Sequence, residues 1–427
     1  MKNKIVTIAT FIGFTNRGAE ALLRTRTASI QELLPGTTFN VLTIYKDSCE
    51  PIDGVNYIQT FGGQREKLKS ITYLLESLFE GSIWTLEALR YRLTGTTSKK
   101  EIKALAESDL FISTDGDVLG EDYGLLPYVW RLYYLALGML LKKPVVIYAE
   151  GIGPFYSRPA RILSRLFYNR CSYLSVREEF SYKYMRDIGI KKPIDIVADT
   201  AFLLEPEFLD KNIKKKDNRR LIGVAVSKLA TEYGFKYGNE IDPYIGFLKY
   251  IAQVIDWMVN DLQADVVLIP HVVQVKRDDF ETANDIMQYV QNKDAVSIVS
   301  KDTNAGQLKG IIAGCDLLIA SRMHAIIAGL STNVPVVGIA YSHKAKGLFK
   351  AVSLKTIVDI KDLDLSITDM IIGTLNSSDE IRESLKYKVE RMKALANLPA
   401  QNVVEILNPN PDYNLNLTLQ TKYETTS

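Results

Sequence analysis

The chain has 427 residues, 47% hydrophobic and 24% charged, which supplies apolar material for two or three domain cores. Its formal net charge of +2 gives a nucleic-acid partner no support. The three cysteines, Cys49, Cys171 and Cys315, are scattered, which excludes a disulfide framework and a Cys-x-x-Cys metal motif and makes a reducing cytoplasm the expected location.

In chain order, Met1-Lys2-Asn3-Lys4 leads into an apolar run at 5–9. That run is too short for the core of a signal peptide and reads as a first strand. Further strands are predicted at 39–44, 110–113, 144–149, 173–176 and 194–198. Between them lie segments of helical spacing such as 20–34 and 178–187. A helical insertion at about 64–107 interrupts the alternation; its Leu74, Leu75, Leu78, Phe79, Trp84, Leu86 and Leu89 are expected to pack as core or cover. The greasiest stretch, 132–141, falls short of the ~18 apolar residues of a membrane span and is expected as a buried helix. Segment 158–170 carries Arg158, Arg161, Arg165 and Arg170 and no acid. Its Ile162, Leu163, Leu166 and Phe167 are expected to face the sheet while the arginines face water. Arginines so presented predict a weak, salt-sensitive peripheral contact with the inner face of the cell membrane.

The pattern pauses in a charged stretch at 206–220, read as a linker. It restarts with strands at 221–226, 265–270, 296–299, 316–320 and 334–340 and helices at 246–262 and 323–330. The expected fold is therefore α/β: two doubly wound, Rossmann-like domains, 1–205 and 221–398, facing a central cleft. The segment 399–427, rich in Asn, Thr and Pro, is expected to be a largely disordered tail.

Ligands of open α/β sheets bind beyond the carboxyl ends of the strands, so the polar residues there are the candidates. The strongest signal is Ser321-Arg322-Met323-His324-Ala325, where a strand turns into a helix with almost no loop. Ser321 is the natural N-cap, and a helix N-terminus suits an anion. Arg322 adds a planar fork for phosphate or carboxylate, and His324 a group titrating near neutrality. The chain has three histidines, His271, His324 and His343, each just after a predicted strand. Their spacing matches no zinc motif, so no catalytic metal is expected. Asn16 and Arg17 follow the first strand, Asp115-Gly116-Asp117 the strand at 110–113, and Gly151-Ile152-Gly153-Pro154 the strand at 144–149. Asp115 and Asp117 suit either a sugar hydroxyl or base role, or a plain turn. Arg177 and Asp199 complete the series in the first domain.

These segments resemble the polysaccharide pyruvyl transferase family, from Asn16-Arg17-Gly18-Ala19-Glu20 to Lys344-Ala345-Lys346-Gly347. The resemblance includes Ser175-Val176-Arg177-Glu178, Ala198-Asp199-Thr200-Ala201-Phe202, and Ser321-Arg322-Met323-His324-Ala325 followed by Pro335-Val336-Val337-Gly338. It implies a fold like that of GT-B glycosyltransferases. It also implies transfer of the pyruvate unit of phosphoenolpyruvate to a glycan or lipid-linked saccharide as a ketal, with no cofactor beyond that donor. His324 would be the acid, Arg322 and Arg177 would hold the anionic donor, and His343 and Lys344 would line the donor side with His271. Two departures, Asp115-Gly116-Asp117 in place of Gly-Gly and Gly18-Ala19-Glu20 in place of Gly-Asp, fall in the domain expected to face the acceptor, beside Gly153 and Asn16.

Two other readings stand beside this one. A GT-B glycosyltransferase using a nucleotide sugar would place a Glu where Ala328 stands, in Ala328-Gly329-Leu330-Ser331-Thr332-Asn333-Val334-Pro335. An inactive sugar-binding relative would have no need of both Arg322 and His324.

Overall fold

Strands that are apolar on both faces need helices above and below them, and the chain meets that need twice. The structure is a computed structural model and describes residues 3–62, 70–113, 116, 118–208, 218–235, 240–273, 278–341 and 343–409. The first unit contains β1 (Ile5–Phe11), β2 (Thr38–Thr43), β3 (Val55–Gln59), β4 (Leu110–Ser113), β5 (Val145–Glu150), β6 (Tyr173–Val176) and β7 (Asp195–Ile196). They form one parallel sheet in the order β3-β2-β1-β4-β5-β6-β7. Its helices are α1 (Arg17–Leu33), α2 (Ile71–Thr94), α3 (Lys100–Glu107), α4 (Leu125–Leu140), α5 (Arg158–Tyr168) and α6 (Glu179–Asp187). The strand order reverses between β1 and β4, which opens a crevice at their carboxyl ends.

The second unit repeats the scheme with β8 (Arg220–Ala225), β9 (Ala264–Leu268), β10 (Val296–Ile298), β11 (Leu317–Ala320), β12 (Val336–Ala340) and β13 (Ile357–Asp359). They pair in parallel in the order β10-β9-β8-β11-β12-β13. The helices are α7 (Pro243–Asn260), α8 (Asp279–Tyr289), α9 (Ala305–Ala313), α10 (Met323–Ser331), α11 (His343–Ala351), α12 (Ile367–Asn376) and α13 (Ser378–Leu407). The architecture is thus two Rossmann-like parallel-sheet domains. Parts of the expected linker and tail, 209–217 and 410–427, lie outside the described residues.

Three features depart from the sequence expectation. First, β3 and β13 are extra edge strands; neither shows a buried run, because an edge strand of this kind is half exposed. Second, the chain does not become a tail at Pro399. Helix α13 continues through it to Leu407. Pro399 lacks one N–H, but the turns on either side bury apolar residues in different domains. Leu385, Val389, Met392 and Ala396 join the core under α10, whereas Ala400, Val403 and Leu407 join that of β1, β2 and β5. Third, two helices are turned the other way. On α5 the buried residues are Ala160, Ser164, Phe167 and Tyr168, while Ile162, Leu163 and Leu166 face solvent. On α2, Trp84 is buried, but Leu75, Leu78, Phe79, Leu86 and Leu89 are exposed. Small or hydroxyl-bearing residues allow α5 its close approach: Ser164 Oγ and Tyr128 Oη of α4 share a hydrogen bond of 2.5 Å.

The stretch 132–141 is the C-terminal part of α4 together with its C-cap Leu141; Leu132, Leu135 and Leu137 are buried. No helix among the described residues is long and apolar enough to cross a membrane.

Candidate functional site

The two domains meet at the carboxyl ends of their strands. Just beyond β1, Asn16 pairs with Val272 as an antiparallel bridge. The Arg17 N–H donates to His271 O at 3.0 Å and the Val273 N–H to Thr15 O at 2.8 Å. Asn16 also caps α1, its Oδ1 accepting from the N–H groups of Gly18 and Ala19. Arg17 is buried; its guanidinium donates to Glu20, to Phe14 O and, across the domain boundary, to Lys301 O at 2.8 Å. Glu20 is fully buried and accepts from the Ala305 N–H at the start of α9. Burial raises the Glu20 carboxyl, against the pull of Arg24 and Arg17. Asn16 and Arg17 therefore tie one domain to the other.

Between those ties lies a compact charged group. Arg177, just after β6, donates through Nη1 to Asp199 Oδ2 at 2.5 Å, and both side chains are buried. The Nε2 of His324 stands 3.8 Å from the same oxygen. Asp199 Oδ1 accepts from the Ala201 N–H, which caps the short turn Thr200–Leu203. Burial alone would raise the Asp199 carboxyl; the charge of Arg177, then that of His324, and the Ala201 N–H outweigh it and hold it below the usual carboxylate range. The other side of the His324 ring rests on Gly18: a Cβ there would lie 2.1 Å from Nδ1. The absence of a side chain at position 18 is thus what lets the imidazole pack on the first turn of α1. Gly116, beyond β4, lies beside Arg177: a Cβ there would stand 3.1 Å from Nη1. Its neighbours Asp115 and Asp117 lie outside the described residues.

A second buried pair supports this group from below. Arg26 and Glu150 are both fully buried, with Nη1 2.9 Å from Oε1. Arg26 also donates to Ser113 O and lies over the Tyr148 ring. A buried charge is tolerated only when paired; Nη1 and Oε1 pair here, while Arg26 Nε and Glu150 Oε2 have no hydrogen-bond partner among the described residues. Arg26 adds to the field that keeps Asp199 ionised.

In the second domain, helix α10 starts one residue later than Ser321 predicts. Arg322 takes the N-cap position, and its side chain makes no capping hydrogen bond. Ser321 is buried and its Oγ has no hydrogen-bond partner among the described residues. Arg322 donates through Nε and Nη2 to Asp279 at 3.0 and 2.6 Å, a bidentate grip. Asp279, the first residue of α8, also accepts from the N–H groups of His271 and Val272. His271 is buried with Nδ1 3.3 Å from Ile269 O. Burial pushes its ring down to about 4, and the nearby His324 and Arg322 push the same way. His271 is thus neutral near pH 7, a packed neighbour of His324.

The structure gathers Arg177, Asp199, His324, Arg322 and His271 into one region of strand ends. Gly153 stands apart from that group. It has φ of +83°, where a side chain would be strained, and packs between Gly120 and the Tyr184 ring. His343 and Lys344 form the first turn of α11, beyond β12; the His343 side chain lies outside the described residues. Sequence reasoning missed Gly18, Asp279, Arg26 and Glu150. Gly18 lies inside the quoted Asn16–Glu20 motif, but its contact with residue 324 crosses the whole chain. Asp279 reads in the sequence as an ordinary acid at the start of a helix.

Comparison with known proteins bears on the family and the fold. The sequence profile of the polysaccharide pyruvyl transferase family matches residues 28–343. The amylovoran biosynthesis protein AmsJ of Erwinia amylovora is 29% identical over 314 residues, 70% of this chain and 74% of its own. Among solved structures, a putative UDP-N-acetylglucosamine 2-epimerase from Listeria monocytogenes superposes with a TM-score of 0.57 at 10% identity, covering 100% of this chain and 98% of its own. The spinosyn rhamnosyltransferase SpnG does so with a TM-score of 0.51 at 11% identity over 95% of this chain and 100% of its own. At such identities these structures speak to the fold alone, which is of the GT-B type.

Proposed function

The chain belongs to the polysaccharide pyruvyl transferase family and is a transferase; we propose that it moves the pyruvate unit of phosphoenolpyruvate onto a hydroxyl pair of a glycan or its lipid-linked precursor. In this reading the donor is a substrate, no cofactor takes part, and the product is a cyclic ketal. The observation that carries it is the Arg177–Asp199–His324 group beside the start of α10.

Phosphoenolpyruvate brings a phosphate and a carboxylate, and this region offers Arg177, Arg322 and an N-terminal helical turn whose N-cap side chain makes no capping hydrogen bond. His324 acts as the acid. It delivers a proton to the methylene carbon of the enol, and the adjacent carbon becomes an oxocarbenium-like centre. One sugar hydroxyl attacks that carbon and releases its proton. Phosphate then leaves with its bonding pair, and the neighbouring hydroxyl closes the ketal with loss of a second proton. Asp199 serves as a positioning residue: its ionised carboxylate favours the protonated imidazole and fixes Arg177. Asp279 does the same for Arg322.

The test is inorganic phosphate release from phosphoenolpyruvate with a panel of glycan and lipid-linked acceptors. The expected result is acceptor-dependent release and a product heavier by the pyruvate ketal. Nucleotide release from a sugar nucleotide, with no turnover of phosphoenolpyruvate, would overturn the reading.

A further inference from the structure

Helices α2, α4 and α5 stand side by side on the face of the first sheet opposite α1 and α13. Tyr133 of α4 donates to Gly81 O of α2, and Tyr128 of α4 bonds Ser164 of α5. The outer surface of this layer is apolar. Ile162, Leu163 and Leu166 of α5 are 59%, 41% and 51% exposed, and Ile71, Leu75 and Phe79 of α2 are 75%, 60% and 67% exposed. Leu126 at the start of α4 is also exposed. A patch spread over three neighbouring helices is not the scattered apolar exposure usual for a soluble surface.

The α5 part of this surface is basic, whereas α2 carries Glu76 and Glu80. Arg158, Arg161, Arg165 and Arg170 are exposed, and no acid lies between 158 and 170. Arg161 Nε donates to Phe155 O at 2.9 Å, which holds the first turn of α5 against the loop that follows β5. The patch therefore extends to the loop that leaves the carboxyl end of β5.

We infer that this face docks onto an anionic lipid surface. The apolar side chains enter the boundary between headgroups and acyl chains, and the arginines meet the lipid phosphates. A second copy of the chain fits less well: a two-fold contact through α5 would set arginines against arginines. Docked this way, the loop after β5 lies close to the headgroups, where a lipid-linked acceptor presents its sugar. The surface itself does not depend on the identity of the donor.

The experiment is cosedimentation of the full chain with phosphatidylglycerol vesicles and with phosphatidylcholine vesicles, at low and high salt. Binding is expected to phosphatidylglycerol, weakened but not abolished by salt because part of the attachment is apolar, and at least about tenfold weaker to phosphatidylcholine. Arg158→Glu with Arg165→Glu removes most of the lipid selectivity. Ile162→Ser with Leu166→Ser removes the salt-resistant part. All four side chains are exposed, so folding is expected to persist, read as an unchanged melting temperature and unchanged turnover with a soluble acceptor. Absence of binding to phosphatidylglycerol, or binding indifferent to both double variants, overturns the inference. So does a dimer in sedimentation equilibrium that Ile162→Ser with Leu166→Ser dissociates while vesicle binding is absent.

Discussion

Adding one methyl group at position 18 tests the acid assignment from the opposite domain. Gly18→Ala builds a Cβ 2.1 Å from His324 Nδ1 and 2.6 Å from Cε1 and Cγ. Ordinary van der Waals contact begins near 3.4 Å, so the ring must retreat by about 1.3 Å. Gly18 lies in the first turn of α1, where alanine is the better helix former by up to about 1 kcal/mol. The His324 side chain is 23% exposed and has room to swing outward. The expected outcome is a melting temperature close to that of the parent and a loss in kcat on the order of 10²-fold, the usual cost of a displacement near 1 Å at a reacting group. Phosphate release at saturating phosphoenolpyruvate measures kcat, and a thermal melt measures stability. Wild-type kcat in Gly18→Ala would refute the placement of the acid on Gly18. A collapse of stability would show that α1, not the imidazole, gives way.

Three further outcomes follow from the same geometry. His324→Ala should fold normally and lose about 10²–10⁴-fold in turnover, as removal of a general acid does; near wild-type turnover would exclude it. Arg322→Lys keeps the charge but cannot hold Asp279 with two parallel bonds, so the KM for phosphoenolpyruvate should rise by roughly tenfold or more; an unchanged KM and kcat would remove the residue from donor binding. His271 gives a pH signature in stability. Its folded ring takes a proton near 4, against 6.5 for the unfolded chain. Its stabilisation is therefore complete above 6.5 and lost as pH falls from 6.5 to 4, by roughly 3 kcal/mol at most. Melts between pH 7 and 4.5 should be less steep in pH for His271→Leu than for the parent, and parallel curves would reject the assignment.

The site was legible wherever chemistry sits next to a strand end. Arg177 follows buried β6 directly, His271 and Arg322 lie in the short connections after buried β9 and β11, His324 sits in the first turn of α10, and Asp199 follows the short edge strand β7; the parallel topology then delivers them to one edge of each sheet. Pairings were not legible. Nothing local says that the Arg322 fork is taken by Asp279, or that Arg26 meets Glu150 across 124 residues. Such partners are set by which strands neighbour one another, and that order is nonlocal. The same limit explains α5. Its periodicity correctly gives a helix with two faces, but Ser164 and Ala160 look too polar or too small to mark the inner one. Close packing on Tyr128 of α4 selects them. For α13, Pro399 was a sound stop signal that tertiary burial overrode on both sides.

The surroundings of His324 are assembled across the domain boundary. His324 belongs to the second domain, yet the atoms that bracket its ring, Gly18 and the carboxylate of Asp199, come from the first domain and the segment leaving it. The contacts that hold those parts in register are buried and polar: Arg17 to Lys301 O, Glu20 to the Ala305 N–H, and the backbone bonds between residues 15–17 and 271–273. Lys309 adds another, donating from α9 to the carbonyl of Phe202, beside the turn that Asp199 caps. Buried groups of this kind lose more by parting than exposed ones, since separation strands a charge or an N–H in a low-dielectric seam. The seam therefore favours one relative position of the domains over a range of them. In that position the carboxylate stands within reach of the imidazole. A substitution in the seam, such as Glu20→Gln, should then reduce turnover through His324 although residue 20 touches neither His324 nor the proposed donor.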